Sequence, residues 1–347
     1  MSEFPPRPAP NALLPFERTA AERVIKSNEW RTERIIHRPA SEVAFTHAER
    51  DLNEPDEART IRMTTWMGKL EERAEILRSL HQDIAYLIAE DAEGENATNL
   101  PALFEVENGE KRRLMYAGTT ITRAQAEIIE KDNTLSIPVY PMNYSEWIAA
   151  YNPEYAEAFK RAESQLPYAG IGVSVLMETR DGRIPLTIRG EKTPVYPGRL
   201  YSPGGGPTPD QTPTESLIEE IGEEIGLRPK EHFDLEKMIM LALVSDTNFA
   251  GSGHSRPELV AYLPLNVSFA EVEQIRGEKA QKQPDVWGIT SMAGSLDGLI
   301  LGLSANTQPL CPPTEAGLVN LIYYKARKGG KEFGLPIIRK FINKYMN

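Results

Sequence analysis

Cysteine is almost absent from this 347-residue chain, in which Cys311 is the single example. One cysteine excludes an intrachain disulfide and a cysteine-rich zinc site, and it fits a reducing compartment. Long apolar runs are also missing, since no segment approaches the roughly 18 residues that a membrane-spanning helix needs. The first residues lack the basic segment and apolar core of a secretory signal. We therefore expect a cytoplasmic protein with no membrane partner.

Positively charged residues are also fewer than negatively charged ones. The chain has 39 Lys and Arg against 50 Asp and Glu, which gives a net charge of -11 at pH 7. This excess of negative charge is a poor match for sequence-independent binding to a phosphate backbone, so general nucleic-acid binding is not expected. A small phosphorylated ligand needs only a local basic pocket, and it remains compatible with the composition.

The rest of the composition is typical of a folded protein. Hydrophobic residues make up 40% of the chain and charged residues 26%, as in ordinary globular domains. The length exceeds that of most single domains, so we expect two domains, each able to bury its own core.

The first half of the chain predicts mixed secondary structure after a proline-rich arm. Apolar residues at helical spacing over residues 64–90 predict one long amphipathic helix. Shorter helices are predicted over residues 122–131 and 153–164. Asn108 and Gly109 stand between two strand-like runs and predict a β-hairpin, because both residues tolerate positive φ. These elements together predict an α+β domain.

The pattern changes near residue 167. An apolar run, an Asp181-Gly182 turn and a second strand-like run predict a hairpin whose first strand is mostly buried. Further strands, an acidic helix and C-terminal helices follow without a regular βαβ repeat, which favours an α/β/α sandwich with a mixed sheet. We therefore assign residues 1–165 to a separate α+β domain with its proline-rich arm, and residues 166–347 to the sandwich.

The acidic helix lies in the segment SPGGGPTPDQTPTESLIEEIGEEIGL, residues 202–227. Thr212 or Thr214 can cap its start, and Pro213 suits a first helical turn, where no N–H is needed. Gly226 can end the helix with a left-handed cap. A short helix with defined ends is therefore predicted directly after three glycines.

Three glutamates share one face of this helix. Glu220, Glu223 and Glu224 are related by steps of three and four residues, so their carboxylates lie close together. Such a set of hard oxygen ligands suits Mg²⁺ or Mn²⁺, and a cation would offset the repulsion between the like charges. A glutamate-rich helix is also typical of a solvated face, so the flanking residues must decide between the two interpretations.

Those flanking residues resemble the Nudix hydrolase family, whose box reads G-x5-E-x7-R-E-U-x-E-E-x-G-U, with U aliphatic. Placing the final glycine of the box on Gly226 puts its first glycine on Gly205. Two positions depart from the pattern: Gln211 stands where the early glutamate belongs, and Glu219 stands where the arginine belongs. The positions that match are Gly205, Glu220, Ile221, Glu223, Glu224, Gly226 and Leu227.

The resemblance implies metal-dependent hydrolysis of a nucleoside diphosphate linked to another moiety, such as a nucleotide sugar, ADP-ribose or a dinucleotide. It makes Glu223 and Glu224 the principal ligands of Mg²⁺ or Mn²⁺. Glu220 is implied as a further ligand or as the base that takes a proton from water. The backbone carbonyl of Gly204 or Gly205 is a further candidate ligand, and glycines let the loop approach phosphate closely.

The two departures leave alternatives open. Glu219 adds negative charge and removes the arginine that orients the acidic residues in the family pattern, while Gln211 keeps an oxygen but loses a charge. The site can therefore bind metal differently, work slowly or lack catalysis. A catalytically silent Nudix-fold nucleotide-binding or sensor protein is the second hypothesis. The third is an interaction protein whose acidic helix is only a solvated face.

Candidate residues outside the box come from neighbouring strands. Glu258 is a candidate for a further acidic ligand or base, and an edge-strand ion pair with Arg256 is the alternative interpretation. Arg189, Arg199 and Arg256 are candidate phosphate-binding residues, with Gly205 contributing close backbone approach. Lys192 is a further candidate for pairing with substrate phosphates. Tyr196 and Tyr201 are candidates for stacking on a base, with packing as the alternative interpretation. His254 stands at the mouth of the strand that contains Glu258.

The expected partner is therefore a small nucleotide-diphosphate substrate. The sequence leaves a homodimer open, and it does not identify the second moiety of the substrate, because that choice depends on the shape of the pocket.

Overall fold

The computed structural model describes residues 29–48, 53–92, 98–124, 126–166, 168, 170–190, 193, 195–247, 249, 255–279, 286–305 and 308–328. The predicted proline-rich arm lies outside these residues. Within them the chain forms four sheets and seven α-helices. None of the described helices is long and apolar enough to cross a lipid bilayer.

The strands are β1 Trp30–Pro39, β2 Val43–His47, β3 Ala85–Glu90, β4 Pro101–Glu107, β5 Glu110–Met115, β6 Thr119–Arg123, β7 Ile129–Lys131, β8 Thr134–Asn143, β9 Gly172–Glu178, β10 Arg183–Arg189, β11 Leu200–Tyr201, β12 Gly204–Gly205, β13 Ile239–Asp246, β14 Arg256–Pro264 and β15 Val286–Ala293. The helices are α1 Asp56–Leu80, α2 Tyr144–Ala149, α3 Pro153–Arg161, α4 Pro213–Glu224, α5 Phe269–Lys279, α6 Leu296–Ala305 and α7 Pro312–Lys328.

A five-stranded mixed sheet organises the C-terminal region. Its order is β1-β13-β14-β9-β12, with β14 and β9 parallel and the other pairs antiparallel. One face carries Val173 and packs with Leu217 of α4. The opposite face carries Leu176 and Val260 and packs with Leu318 of α7. The predicted α/β/α sandwich with a mixed sheet is therefore confirmed, and burial on both faces explains why β9 is almost wholly apolar.

The turn predicted at Asp181 and Gly182 is present. Gly182 has a φ of +74°, and its N–H donates to the carbonyl of Thr179. The two strands then separate, because β10 pairs with β11 and β15 in a three-stranded sheet while β9 stays in the large sheet. The predicted strands are correct, but β10 leaves β9 to form another sheet.

The first half of the chain contributes the edge strand of the large sheet. β1 pairs antiparallel with β13 from Trp30 opposite Asp246 to Pro39 opposite Ile239. The Asn320 side chain of α7 donates to the Thr32 hydroxyl at 3.1 Å. A division of the chain at residues 165 and 166 stays a prediction, but this strand crosses it.

The remaining N-terminal elements form an α+β region. β2, β8 and β6 form one sheet, with β7 also paired to β8, and β3, β4 and β5 form a three-stranded antiparallel sheet beside α1. The predicted hairpin at Asn108 and Gly109 joins β4 to β5, and both residues have positive φ. The helix predicted over residues 153–164 corresponds to α3.

Two helix predictions in this region are wrong. The predicted helix over residues 64–90 ends at Leu80 as α1, and the later apolar residues belong to β3, which pairs with β4. The predicted helix over residues 122–131 is replaced by β6 and β7, which both pair with β8. In each case strand pairing outweighs a helical pattern in the local sequence.

The N-terminal region shares the core of the C-terminal region. Ile121 and Ile137 belong to the same buried cluster as Leu217 of α4. Glu33 of β1 accepts hydrogen bonds from Arg123 of β6 and from Ser245 of β13. The sheet containing β6 is therefore held against the sandwich by both apolar and polar contacts.

Candidate active site

The acidic helix begins and ends as the sequence predicts. The Thr212 hydroxyl accepts from the Glu215 N–H at 3.2 Å, and the Glu215 carboxylate accepts from the Thr212 N–H at 2.8 Å. Thr212 is therefore the cap, and Pro213 occupies the first turn. Gly226 follows the helix with a φ of +92°, as expected for a left-handed cap.

The glycine loop, defined as residues 204–206, passes directly over this helix. Gly204 and Gly205 pair with Ser174 and Val173 at the edge of the large sheet. A Cβ atom placed on Gly204 would overlap the Val173 carbonyl, and one placed on Gly205 would overlap the Glu220 carboxylate. Gly204 therefore needs glycine because the overlap is with backbone, whereas a side chain at Gly205 would displace the Glu220 carboxylate.

Glu220 and Glu224 form a crowded and partly buried acidic pair. Burial, followed by the charges of Glu223 and Glu219, raises the pKa of Glu220 to about 7. Burial, followed by the charge of Glu220, raises the pKa of Glu224 to about 8, although the Gly204 N–H donates to its carboxylate. One oxygen of Glu224 is buried and has no hydrogen-bond partner in the part of the chain that the structure describes.

These observations agree with a cation-binding role for the pair. Two mutually repelling carboxylates and an unpartnered buried oxygen are the donor chemistry that a hard divalent cation satisfies. Glu223 is on the same helix face but is exposed. Across the described ranges, no three His, Cys, Asp or Glu side chains converge closely enough to form a complete metal site. The residues therefore fit Mg²⁺ or Mn²⁺ by chemistry, and binding itself stays a prediction.

The two departures from the box contact one another. The Gln211 amide donates to the Glu219 carboxylate, and the Gln211 amide oxygen accepts from the Thr208 N–H at 3.1 Å. From the sequence, Gln211 and Glu219 are two separate departures from the box. In the structure they form one polar link between the loop that follows the glycines and the exposed side of α4.

A buried ion pair lies on β14. Arg256 and Glu258 approach to 3.6 Å, and the Glu258 side chain is fully buried. Burial lowers the pKa of Arg256, but interactions with Glu258 and the nearby Tyr201 and Tyr151 raise it, so that its pKa lies above the ordinary value. Neither oxygen of Glu258 has a hydrogen-bond partner among the described residues. The ion pair of the alternative interpretation is therefore present, but β14 lies between β13 and β9 and is not an edge strand.

Glu258 does not join the glutamates of α4. Its neighbour Leu259 packs in the core on the α4 face, whereas Val260 packs in the core on the α7 face. Side chains alternate along a strand, so Glu258 faces away from α4. The structure therefore places Glu258 beside Arg256, and its predicted role as a further metal ligand or base stays a prediction.

A cavity of about 440 Å³ opens between the glycine loop and the N-terminal region. The C-terminal region of the chain forms one wall of this cavity, here called the C-terminal or charged wall. It includes residues 204–206 together with Arg189 and Arg256. Arg189 lies 5.0 Å from the Tyr201 ring and donates to the Val195 carbonyl at 2.9 Å. The sequence predictions for Arg189, Arg256 and Gly205 are therefore brought together at one wall, while their binding role stays a prediction.

Arg199 lies outside this cavity. It pairs with Glu29 at 3.0 Å and donates to the Leu310 carbonyl at 3.1 Å. These contacts hold its guanidinium near β1 and the start of α7, so the geometry does not support Arg199 as a phosphate-binding residue. The two further polar candidates Lys192 and His254 lie outside the described residues.

The opposite wall was not predicted from the sequence. It consists largely of Tyr116, Tyr144, Trp147 and Tyr151 from the N-terminal region. Tyr144, Trp147 and Tyr151 are separated by three and four residues, which is the spacing of one helix face. That spacing is a usable signal of a shared surface, although it does not reveal what the surface faces. Tyr196 and Tyr201 also line the cavity.

The N-terminal region also contacts the glycine loop directly. The Thr120 hydroxyl of β6 donates to the Pro207 carbonyl at 3.0 Å. Thr120 also lies beside Gly206. The two walls are therefore joined at the loop that passes over Glu220.

Comparison with known proteins gives structural neighbours only. No family model matches the sequence, and no curated protein matches it. A Nudix hydrolase from Alicyclobacillus acidocaldarius is 13% identical, with 46% of this chain and 95% of that chain covered and a TM-score of 0.33. A MutT Nudix hydrolase from Burkholderia pseudomallei is 23% identical, with coverages of 43% and 95% and a TM-score of 0.29.

A Bacillus subtilis pyrophosphohydrolase is 16% identical, with 46% of this chain and 82% of that chain covered and a TM-score of 0.29. Likenesses at this level say nothing about substrate or activity. The described part of the chain combines a glycine loop, an acidic helix and a helix-flanked mixed sheet, which are the features that the resemblance to the Nudix family predicts.

Proposed function

We propose that this protein hydrolyses a pyrophosphate bond in a nucleoside diphosphate linked to another moiety. The observation that carries the proposal is the close contact between Glu220 and Gly205. Gly205 belongs to the glycine loop, which forms part of one wall of the cavity. A phosphate against this loop would lie near both the acidic pair and the two guanidinium groups of Arg189 and Arg256.

The wall formed by the C-terminal region would bind and orient the phosphates. Glycines permit close backbone approach, and guanidinium groups pair with phosphate oxygens in a defined geometry. Arg256 is held by Glu258 and lies 5.2 Å from the Phe249 ring, while Arg189 is held by the Val195 carbonyl. Both cations are therefore positioned before a substrate arrives, which reduces the reorganisation needed during reaction.

Glu220 suits proton transfer at neutral pH. A general base works best when its pKa lies near the working pH, and burial beside Glu223 and Glu219 brings the pKa of Glu220 to about 7. Glu223 and Glu224, with the Gly204 carbonyl, are the groups that would hold Mg²⁺ or Mn²⁺, and Glu220 would be a further ligand as the alternative to its role as the base. The chemistry supplied by such a cation is neutralisation of phosphate oxygens and a lower pKa for water.

A catalytically silent nucleotide-binding protein is the second candidate. It is favoured by the contact between Gln211 and Glu219, which contains no positive charge to balance the acidic helix face. The exposed position of Glu223 points in the same direction. Nucleotide binding without turnover in either metal would support this candidate over hydrolysis.

The test is a panel of ADP-ribose, UDP-glucose and diadenosine polyphosphates, each incubated with the full chain and Mg²⁺ or Mn²⁺. Release of a nucleoside monophosphate is measured by chromatography. Glu224→Gln should lower the rate about 100-fold, because catalysis would lose a charged group at the reacting phosphates. Glu273→Gln, on the exposed face of α5, is the matched control and should match the wild type. Full activity in Glu224→Gln would exclude the proposed role of the acidic pair.

A further inference from the structure

We infer that the N-terminal region supplies the nucleobase subsite, in which a planar ring lies against Tyr144, Trp147 and Tyr151. This inference rests on the proposed function, because it assigns one end of the proposed substrate. It makes the N-terminal region part of substrate recognition and gives the protein a preference for substrates that carry an aromatic ring.

The three side chains form a continuous aromatic wall. The rings of Tyr144 and Trp147 are stacked, with centroids 5.1 Å apart and an interplanar angle of 15°. Trp147 and Tyr151 meet edge to face at 5.0 Å. All three are half-buried, and all three line the cavity. Aromatic side chains exposed to a cavity in this way stack with nucleobases irrespective of base identity.

The two walls match the two ends of a nucleoside diphosphate. Such a ligand has a flat, weakly polar ring at one end and a compact doubly charged group at the other. The aromatic wall lines the same cavity as the glycine loop, Arg189 and Arg256. A volume of about 440 Å³ lies within the range of small-molecule sites, so the cavity accommodates a ligand of this class.

The Tyr151 hydroxyl is an independent observation that points to a ligand in this cavity. It is buried and has no hydrogen-bond partner among the described residues. Burial raises the pKa of this hydroxyl and the charges of Arg256 and Arg189 oppose the shift, and Tyr151 lines the same cavity as both guanidinium groups. Buried polar atoms are nearly always hydrogen-bonded in native structures. A polar group of a bound nucleotide would satisfy this hydroxyl at the junction of ring and phosphates.

The aromatic wall is also fixed in place. Phe249 of the C-terminal region is fully buried behind it, 5.2 Å from the Tyr151 ring and 6.3 Å from the Trp147 ring. The Thr120 hydroxyl ties the same region to Pro207 beside the glycine loop. A rigid aromatic surface costs little conformational entropy on binding, which favours a role in recognition.

The test compares two probes by calorimetry on the full chain in Mg²⁺. ADP carries both ring and phosphates, whereas inorganic pyrophosphate carries phosphates alone. Trp147→Leu should weaken ADP binding about tenfold and leave pyrophosphate binding unchanged, because only stacking is lost. Tyr151→Phe should weaken ADP binding by about three- to tenfold without removing a ring. Tyr155→Phe is the matched control, since Tyr155 is buried in the same region but bonds to Glu54 outside the cavity.

The outcomes separate this inference from the proposed function. ADP binding within twofold of the wild type in both cavity variants overturns the nucleobase subsite. Equal loss of ADP and pyrophosphate binding in Trp147→Leu overturns it as well, and so does a wild type that fails to bind ADP at millimolar concentration. Binding that follows the expected pattern in a protein without hydrolysis supports the subsite and excludes only the catalytic proposal.

Discussion

The two walls of the cavity differ in chemistry and in origin. The C-terminal wall presents a glycine loop and two guanidinium groups, and the N-terminal wall presents half-buried rings. A charged wall alone would accept many phosphorylated compounds, whereas a ring wall selects for the group attached to the phosphates. Under the proposed function, this difference would divide reaction chemistry and substrate choice between separate parts of one chain.

Among the variants that test this difference between the walls, Gly205→Ala is expected to have the largest effect on activity. The added methyl group overlaps the Glu220 carboxylate, which is the end of a flexible side chain and can move without unfolding the helix. We expect hydrolysis to fall about 100-fold, because Glu220 is displaced from the reacting phosphates. Calorimetry should show weaker Mn²⁺ binding while ADP still binds through its ring.

Gly277→Ala is the matched control for that change. Gly277 lies on α5, and an added Cβ meets nothing within 4 Å. Unchanged activity and Mn²⁺ affinity in Gly205→Ala would show that the contact with Glu220 does not matter. Loss of both ADP and Mn²⁺ binding would show that the two walls do not act separately.

Arg256→Met tests the stability of the charged wall. Removing the guanidinium leaves Glu258 buried without its partner, and the expected loss in the free energy of unfolding is about 3 kcal/mol. The double change Arg256→Met, Glu258→Leu should lose less than the single change, since both charges are then absent. Arg199→Met removes a more exposed pair with Glu29 and should cost under about 1 kcal/mol.

Urea denaturation measures all three variants. Equal stability of the wild type and Arg256→Met would show that Glu258 is not held as an unpaired buried charge. A double variant less stable than Arg256→Met would show that removing Glu258 costs more free energy of unfolding than leaving its charge without a partner.

The smallest expected effect concerns the two departures from the Nudix box. Gln211→Glu places two carboxylates in contact and should cost about 0.5 kcal/mol, and Glu219→Arg removes the acceptor of the Gln211 amide. The double change creates an exposed ion pair and should recover both losses. A coupling energy of about 0.5–1 kcal/mol in a double-mutant cycle, measured by denaturation, is the expected result. Additive effects would show that the two residues are independent.

The acidic helix could be predicted from the sequence because its signals are local. Thr212, Pro213 and Gly226 define its ends, and the glutamate spacing defines its face. The same reasoning is wrong for residues 64–90, since β3 is specified by pairing with β4 and not by its own apolar spacing. A partner strand elsewhere in the sequence leaves no periodic trace in the strand itself.

The cavity could be predicted only in part. Gly205 and Arg189 came from the box and its neighbouring strands, and the structure brings them to one wall. The spacing of Tyr144, Trp147 and Tyr151 indicates one surface, but its position opposite the glycine loop depends on packing between distant sheets. Likewise, Glu258 could be chosen by residue type, while its direction depends on the face of β14 that it occupies.

The pairing of β1 with β13 also bears on how the protein is made. Trp30 and Asp246 lie opposite one another although more than 200 residues separate them along the chain. During synthesis, β1 leaves the ribosome long before its partner exists, and a contact at such separation slows folding. Until β1 docks, the backbone groups along one side of β13 are an open strand edge that another chain can pair with. In a chain that lacks residues 30–39, this edge of β13 would stay unpaired, which would favour aggregation over a monomeric fold.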